Sequence, residues 1–114
     1  MLFICCLCCK AQTRQEVLRE IKRQNIPHPT IVLAQARLES GNMKSDFYRK
    51  TNNLFGLKRG KKYATYRHWK DSIKDYKRRI SSRYGGGNYY SFLQRIGYAA
   101  DEKYLSKIKE IVKD

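Results

Sequence analysis

The sequence predicts a mainly α fold of the α+β class: one domain, largely helical, with a single small β-hairpin. Three observations carry this. Apolar residues recur at helical spacing in one segment after another. Only one stretch alternates like strands about a turn, Leu57-Lys58 and Tyr63-Ala64-Thr65-Tyr66 flanking Arg59-Gly60-Lys61-Lys62. The chain has 114 residues and 41% hydrophobic residues, including nine Tyr, four Phe and one Trp. That is one domain's length and enough apolar material for a core. The aromatic content argues against disorder, and there is no repeat or low-complexity tract.

Thr13-Arg14-Gln15-Glu16 reads as a capping box, opening a helix with Val17, Leu18 and Ile21 on one face. Pro27 and Pro29 end it, and Thr30 is the expected cap of the next helix. Ile31, Leu33, Ala34, Ala36 and Leu38 make that second helix apolar almost all round, so it should be central and buried. Gly41 is its natural stop. A short helix is expected over Ser45 to Lys50, then a turn-rich Asn52-Asn53-Leu54-Phe55-Gly56. After the hairpin, Asp71 or Ser72 is the expected cap of a helix carrying Ile73, Tyr76 and Ile80. Gly85-Gly86-Gly87 breaks the chain. Tyr90, Phe92, Leu93 and Ile96 suggest another short helix closed by Gly97, and Asp101 starts the last, with Tyr104, Leu105, Ile108, Ile111 and Val112 in register.

Lys and Arg number 25 against 10 Asp and Glu, a formal charge of +15. This calls for a polyanionic partner: nucleic acid, an anionic lipid surface or an acidic cell-wall polymer. Charge does not choose among them. No apolar run approaches the ~20 residues of a helical membrane span.

All four cysteines lie in Met1-Leu2-Phe3-Ile4-Cys5-Cys6-Leu7-Cys8-Cys9-Lys10. Two overlapping CxxC spacings raise the question of zinc, but a structural site needs ligands from a second segment and the remaining chain has no cysteine. His68 has no partner at metal spacing and His28 sits between two prolines, so neither metal nor cofactor is expected. Residues 1–12 form a short apolar leader. It is either an export or lipoprotein segment, which would give peripheral membrane anchoring, or a disordered stretch. Leu2-Phe3-Ile4-Cys5 has the outline of a lipoprotein cleavage site, with bulky residues where small ones are usual. The expected location is extracytoplasmic, in the periplasm, in the cell envelope or secreted, and the expected state is a monomer.

Glu39 is the most unusual acid in the chain, on the last turn of the apolar helix in Ala34-Gln35-Ala36-Arg37-Leu38-Glu39-Ser40-Gly41. Partial desolvation and the negative end of the helix dipole both favour its neutral form, as a general acid near neutral pH requires. The alternative is a solvated helix-end glutamate paired with Arg37 or a lysine.

The run Ile31-Val32-Leu33-Ala34-Gln35-Ala36-Arg37-Leu38-Glu39-Ser40-Gly41 followed by Asn52-Asn53-Leu54-Phe55-Gly56-Leu57-Lys58 resembles the bacterial endo-β-N-acetylglucosaminidases. These are the peptidoglycan hydrolases of glycoside hydrolase family 73, which include the muralytic domain of flagellar rod assembly proteins. Two later segments fit the same family, Tyr66-Arg67-His68-Trp69-Lys70-Asp71-Ser72-Ile73-Lys74-Asp75-Tyr76 and Gly97-Tyr98-Ala99-Ala100-Asp101-Glu102-Lys103-Tyr104. The resemblance covers residues 13–114 in one colinear order.

The resemblance implies a lysozyme-like α-lobe with a small β-hairpin lobe. It implies cleavage of the β-1,4 bond between N-acetylglucosamine and N-acetylmuramic acid in peptidoglycan, with Glu39 as general acid. Tyr98 matches the family's active-site tyrosine, which would orient the acetamido group or stabilise the oxocarbenium-like state; its alternative is core packing. Asn53, Phe55 and Tyr66 are placed along the sugar groove, and Asp71 joins them as a substrate-binding candidate. Asn52 and Asn53 read equally well as turn residues, and Asp71 as a helix cap. Asp75 reads as a solvated face.

Many glycosidases use two carboxylates, about 5–5.5 Å apart for retention or about 6.5–9.5 Å apart for inversion. Here no acid occurs between Asp46 and Asp71, so the short hairpin supplies none. A substrate-assisted route, in which the 2-acetamido oxygen attacks the anomeric carbon and Glu39 serves as acid and then base, avoids the need. Asn42-Met43 stands where many relatives have Trp-Gly, and Ala100 and Glu102 replace the frequent Thr and Pro.

Two rivals remain at this level. Lys58, Arg59, Lys61 and Lys62 with Tyr63 and Tyr66 make a basic, aromatic hairpin suited to nucleic acid, though no base-reading motif accompanies it. The other rival keeps the fold as a non-catalytic cell-wall binding module.

Overall fold

The computed structural model of the protein describes residues 12–98 and 101–114. The cysteine-rich stretch, with the leader readings attached to it, and Ala100 lie outside the described residues.

Helix α1 spans Arg14–Arg23 behind the predicted capping box: Glu16 N–H donates to Thr13 Oγ1 at 3.1 Å, and Thr13 N–H to Glu16 Oε1 at 2.8 Å. Such a cap contributes about 1 kcal/mol. Val17 and Ile21 face the core. Helix α2, Pro29–Glu39, is buried at every residue from Val32 to Arg37, and both α1 and the C-terminal helix pack on it. Its cap is not Thr30. The helix starts two residues earlier than a Thr30 cap implies, at Pro29, whose fixed φ suits a first turn, and His28 precedes it in a left-handed conformation with no side-chain cap. The His28 ring is instead held at Tyr84, its Nε2 2.9 Å from that hydroxyl. The far end closes in a Schellman motif: Gly41 is left-handed and Asn42 N–H donates to Arg37 O at 2.8 Å.

Helix α3, Asp46–Thr51, is capped by Ser45. Strands β1 (Lys58–Arg59) and β2 (Lys62–Tyr63) form an antiparallel hairpin in the register Lys58↔Tyr63 and Arg59↔Lys62. Gly60 has φ +64° at the first turn position, as a type II′ turn requires. Helix α4, Trp69–Arg79, begins before the predicted cap. His68 Nδ1 accepts from Lys70 N–H, leaving Asp71 exposed in the first turn. Ser72 is buried and joins elements instead, donating to Trp69 O at 2.7 Å and accepting from Leu54 N–H at 3.3 Å.

A 3-10 turn at Ser81–Arg83, helix α5 (Tyr89–Arg95) and helix α6 (Glu102–Lys113, capped by Asp101) complete the chain. Phe55, Tyr76, Tyr89 and Phe92 fill the core between the loop after α3 and the later helices. The architecture is thus the predicted one, mainly α with one two-stranded sheet. Among the described residues no helix is long and apolar enough to cross a membrane.

Candidate active site

Glu39 is the last residue of α2, half-buried where that helix meets the loop before the hairpin. Gly56 lets the loop come this close. A Cβ there would stand 3.1 Å from Glu39 Oε1, and the backbone is left-handed at φ +66°. Glycine is needed on both counts.

Tyr98 reaches the same loop, donating from its hydroxyl to Phe55 O at 3.1 Å. The Tyr104 ring on α6 lies 6.0 Å from the Tyr98 ring. Its hydroxyl receives Gln35 Nε2 at 3.4 Å. Gln35 sits one helical turn before Glu39 and is fully buried; its Oε1 accepts from the Tyr76 hydroxyl at 2.6 Å, and Tyr76 is 2.8 Å from the Tyr89 hydroxyl. A buried polar chain therefore runs from the core to the Tyr104 hydroxyl.

Desolvation pushes the Glu39 carboxyl above the usual glutamate range. The Tyr104 hydroxyl pulls weakly the other way, facing the carboxyl without closing a hydrogen bond of ordinary geometry. Among the described residues Glu39 has no cation partner. Arg37, the expected one, is turned to Asn42 Oδ1 at 3.1 Å, Ile111 O at 3.4 Å and Asp114 Oδ2 at 3.0 Å. Burial first, then the neighbouring Tyr104 and Glu39, holds the Tyr98 phenol well above its ordinary value, so it stays a neutral hydroxyl.

The remaining sequence candidates fall into two groups. Asn53 is the turn residue of its two readings: fully buried, it donates from Nδ2 to Leu57 O and Ala64 O, both at 2.9 Å, and accepts from Leu57 N–H at 3.1 Å. That clamps the hairpin root and leaves nothing for a sugar. The Phe55 ring is likewise in the core, 4.4 Å from that of Tyr76, and only its carbonyl faces the site. Neither side chain lines a groove, because a well-packed core closes over both. Tyr66 and Asp71, in contrast, share a cleft of about 260 Å³ with Arg59, Lys74, Asp75 and Arg78.

The family model for Glucosaminidase, described as mannosyl-glycoprotein endo-beta-N-acetylglucosaminidase, matches residues 14–114. The chain belongs to this family. No curated protein and no solved structure matches it. The family match supports a glycan-hydrolase function in general, and it takes in all four segments that carried the resemblance.

In this Glucosaminidase chain none of the other nine acids is among the groups that shift the Glu39 carboxyl. Glu16 and Asp101 cap helices, Glu20 pairs with Arg23, Glu110 with Lys113 and Asp114 with Arg37. Asp46, Asp71 and Glu102 lie exposed in first turns. Asp75 corrects its solvated-face reading: it is buried, with Tyr66 Oη at 2.6 Å, Arg78 Nη2 at 2.6 Å and Arg79 Nη1 at 3.3 Å. Burial alone would raise its carboxyl, but these three partners together hold it below the usual range. Sequence reasoning missed Gln35 and Tyr104 as site residues. The signal for Gln35 was there, a lone amide inside an apolar helix one turn from Glu39.

Proposed function

We propose that this chain hydrolyses peptidoglycan at the β-1,4 bond between N-acetylglucosamine and N-acetylmuramic acid, with Glu39 as general acid. The observation that carries the reading is the state of that carboxyl: half-buried, without a cation among the described residues, raised by desolvation, and with no second carboxylate among the groups that act on it. A carboxyl so placed holds its proton to higher pH than an ordinary glutamate, as a general acid requires.

The mechanism follows from having one acid. Glu39 gives its proton to the glycosidic oxygen as the bond from that oxygen to the anomeric carbon breaks. The 2-acetamido carbonyl oxygen of the N-acetylglucosamine forms the new bond to that carbon, giving a cyclic oxazolinium. Water then attacks the same carbon, Glu39 takes the water's proton, and the ring reopens to the acetamide with net retention. Tyr98 suits the orienting role. Its donor is engaged at Phe55 O, so oxygen lone pairs remain to accept an acetamide N–H. Such a substrate places the work outside the cytoplasm, in the cell envelope.

Digestion of purified peptidoglycan followed by mass spectrometry tests the reading. Wild-type protein should release fragments with N-acetylglucosamine at the reducing end, and Glu39→Gln should release none while still sedimenting with the wall. Reducing-end N-acetylmuramic acid would make the enzyme a muramidase. Wall binding without release by the wild type would favour the binding-module reading, and tighter, steeply salt-dependent binding to duplex DNA the nucleic-acid one.

A further inference from the structure

The cleft between the hairpin and α4 has a construction that the chemistry at Glu39 does not explain. Its floor is the buried Asp75, held by Tyr66, Arg78 and Arg79. Arg79 also donates from Nη2 to Lys58 O at 2.7 Å, tying the hairpin to the helix. The Arg59 guanidinium lies over the Tyr66 ring, 5.6 Å from its centroid, and Lys74 stands exposed on the α4 wall. Neither Arg59 nor Lys74 has a carboxylate partner among the described residues, and the one exposed acid of the cleft, Asp71, pairs with neither.

Counting the groups decides the sign of the cleft. Asp75 offsets one of the two charges of Arg78 and Arg79, and Asp71 offsets one of the two on Arg59 and Lys74. A net positive charge is left at the mouth, on a rigid frame with an aromatic wall. The cleft is also close to Glu39 along the chain. Gly56 touches that carboxyl and Arg59 is three residues on, so their Cα atoms are no more than about 11 Å apart.

We propose that this cleft is an oxyanion subsite, in which Arg59 and Lys74 take a peptide carboxylate carried by the same glycan strand that Glu39 cleaves. The inference rests on the peptidoglycan reading and gives it a substrate feature, preference for strands whose peptides bear free carboxylates. A guanidinium on a hairpin strand and resting over an aromatic ring loses less freedom on binding than an unsupported one.

The test is binding of soluble glycan strands, free of phosphodiester polymer, to Glu39→Gln protein, which does not consume them, together with KM on the wild-type background. Strands with free peptide carboxylates are compared with the same strands after amidation of those carboxylates. The free-carboxylate strands should bind about tenfold tighter, and Arg59→Gln with Lys74→Gln should remove that difference, as expected for two exposed charge contacts. A control removing two remote charges, Lys22→Gln with Lys107→Gln, should keep it. Equal binding of the two strands, or an equal loss in the control, overturns the proposal. Rescue of the preference by an attached phosphodiester polymer on amidated strands, with none from free carboxylates, overturns the carboxylate as the source. Failure of the hydrolase reading looks different: wild type then releases no reducing ends on either strand, whatever the binding difference.

Discussion

Two acids in this molecule are withdrawn from water beside tyrosines, and they behave in opposite ways. Asp75 is buried with a tyrosine hydroxyl and two guanidinium groups on its oxygens, and its carboxyl is held below the usual range. Glu39 is half-buried beside Tyr98 and Tyr104 with no cation among the described residues, and its carboxyl is raised. Desolvation acts on both. The partners decide the outcome: Asp75 is shifted toward its anion, which holds Tyr66 to α4, and Glu39 is shifted toward its neutral form. The difference shows that burial of a carboxylate is no signal of chemistry until its cations are counted.

Substitution should break the comparison most visibly. Glu39→Gln should cost about a thousandfold in turnover, the scale of a lost general acid, with stability at neutral pH the same or higher, because the desolvated charge is gone. Asp75→Ala should do the reverse, costing about 3 kcal/mol in urea unfolding because Tyr66 and two arginines lose their partner, while activity per folded molecule stays within a few fold. Asn53→Ala is next in size. Three hydrogen bonds at the hairpin root go with it, and about 1–3 kcal/mol of stability should follow.

The pH dependence should separate the two acids by sign. Asp75 has a folded value below its unfolded one, so the stability it adds is present above the ordinary aspartate range and is lost as pH falls through the folded value. Glu39 has a raised folded value. Its contribution is greatest below the ordinary glutamate range and declines as pH rises to the folded value. Unfolding of wild type against each variant across pH should show these opposite slopes, and kcat/KM should fall as pH rises through the Glu39 value. The smallest effect belongs to Tyr104→Phe. It removes a hydroxyl that lowers the Glu39 carboxyl, so the descending limb of the pH profile should move to higher pH with the fold intact.

Much of the fold was legible because periodicity and caps are local. The capping box at Thr13, the Gly41 stop and the hairpin around Gly60 each follow from residues within one turn. The misread caps had local competitors. Pro29 overrode Thr30, and His68 took the role given to Asp71, while Ser72 was drawn inward to hold Leu54. Glu39 stood out through its apolar helix. Asn53 and Phe55 did not sort themselves between groove and core, because that depends on which side of the loop faces Tyr76 and Tyr98. Tyr104 and Asp75 were harder still, since their partners lie on other elements: Gln35 on α2 for the first, Tyr66 for the second.

The most direct measurement is a carbon-13 NMR titration of the side-chain carboxyls, with Glu39→Gln and Asp75→Asn assigning the two resonances. The Glu39 carboxyl should titrate above the ordinary glutamate value of about 4.3, and that of Asp75 below the ordinary aspartate value of about 3.9. A Glu39 midpoint at or below the ordinary value would contradict the account, because the carboxyl would then have lost its proton before the glycosidic oxygen needs it.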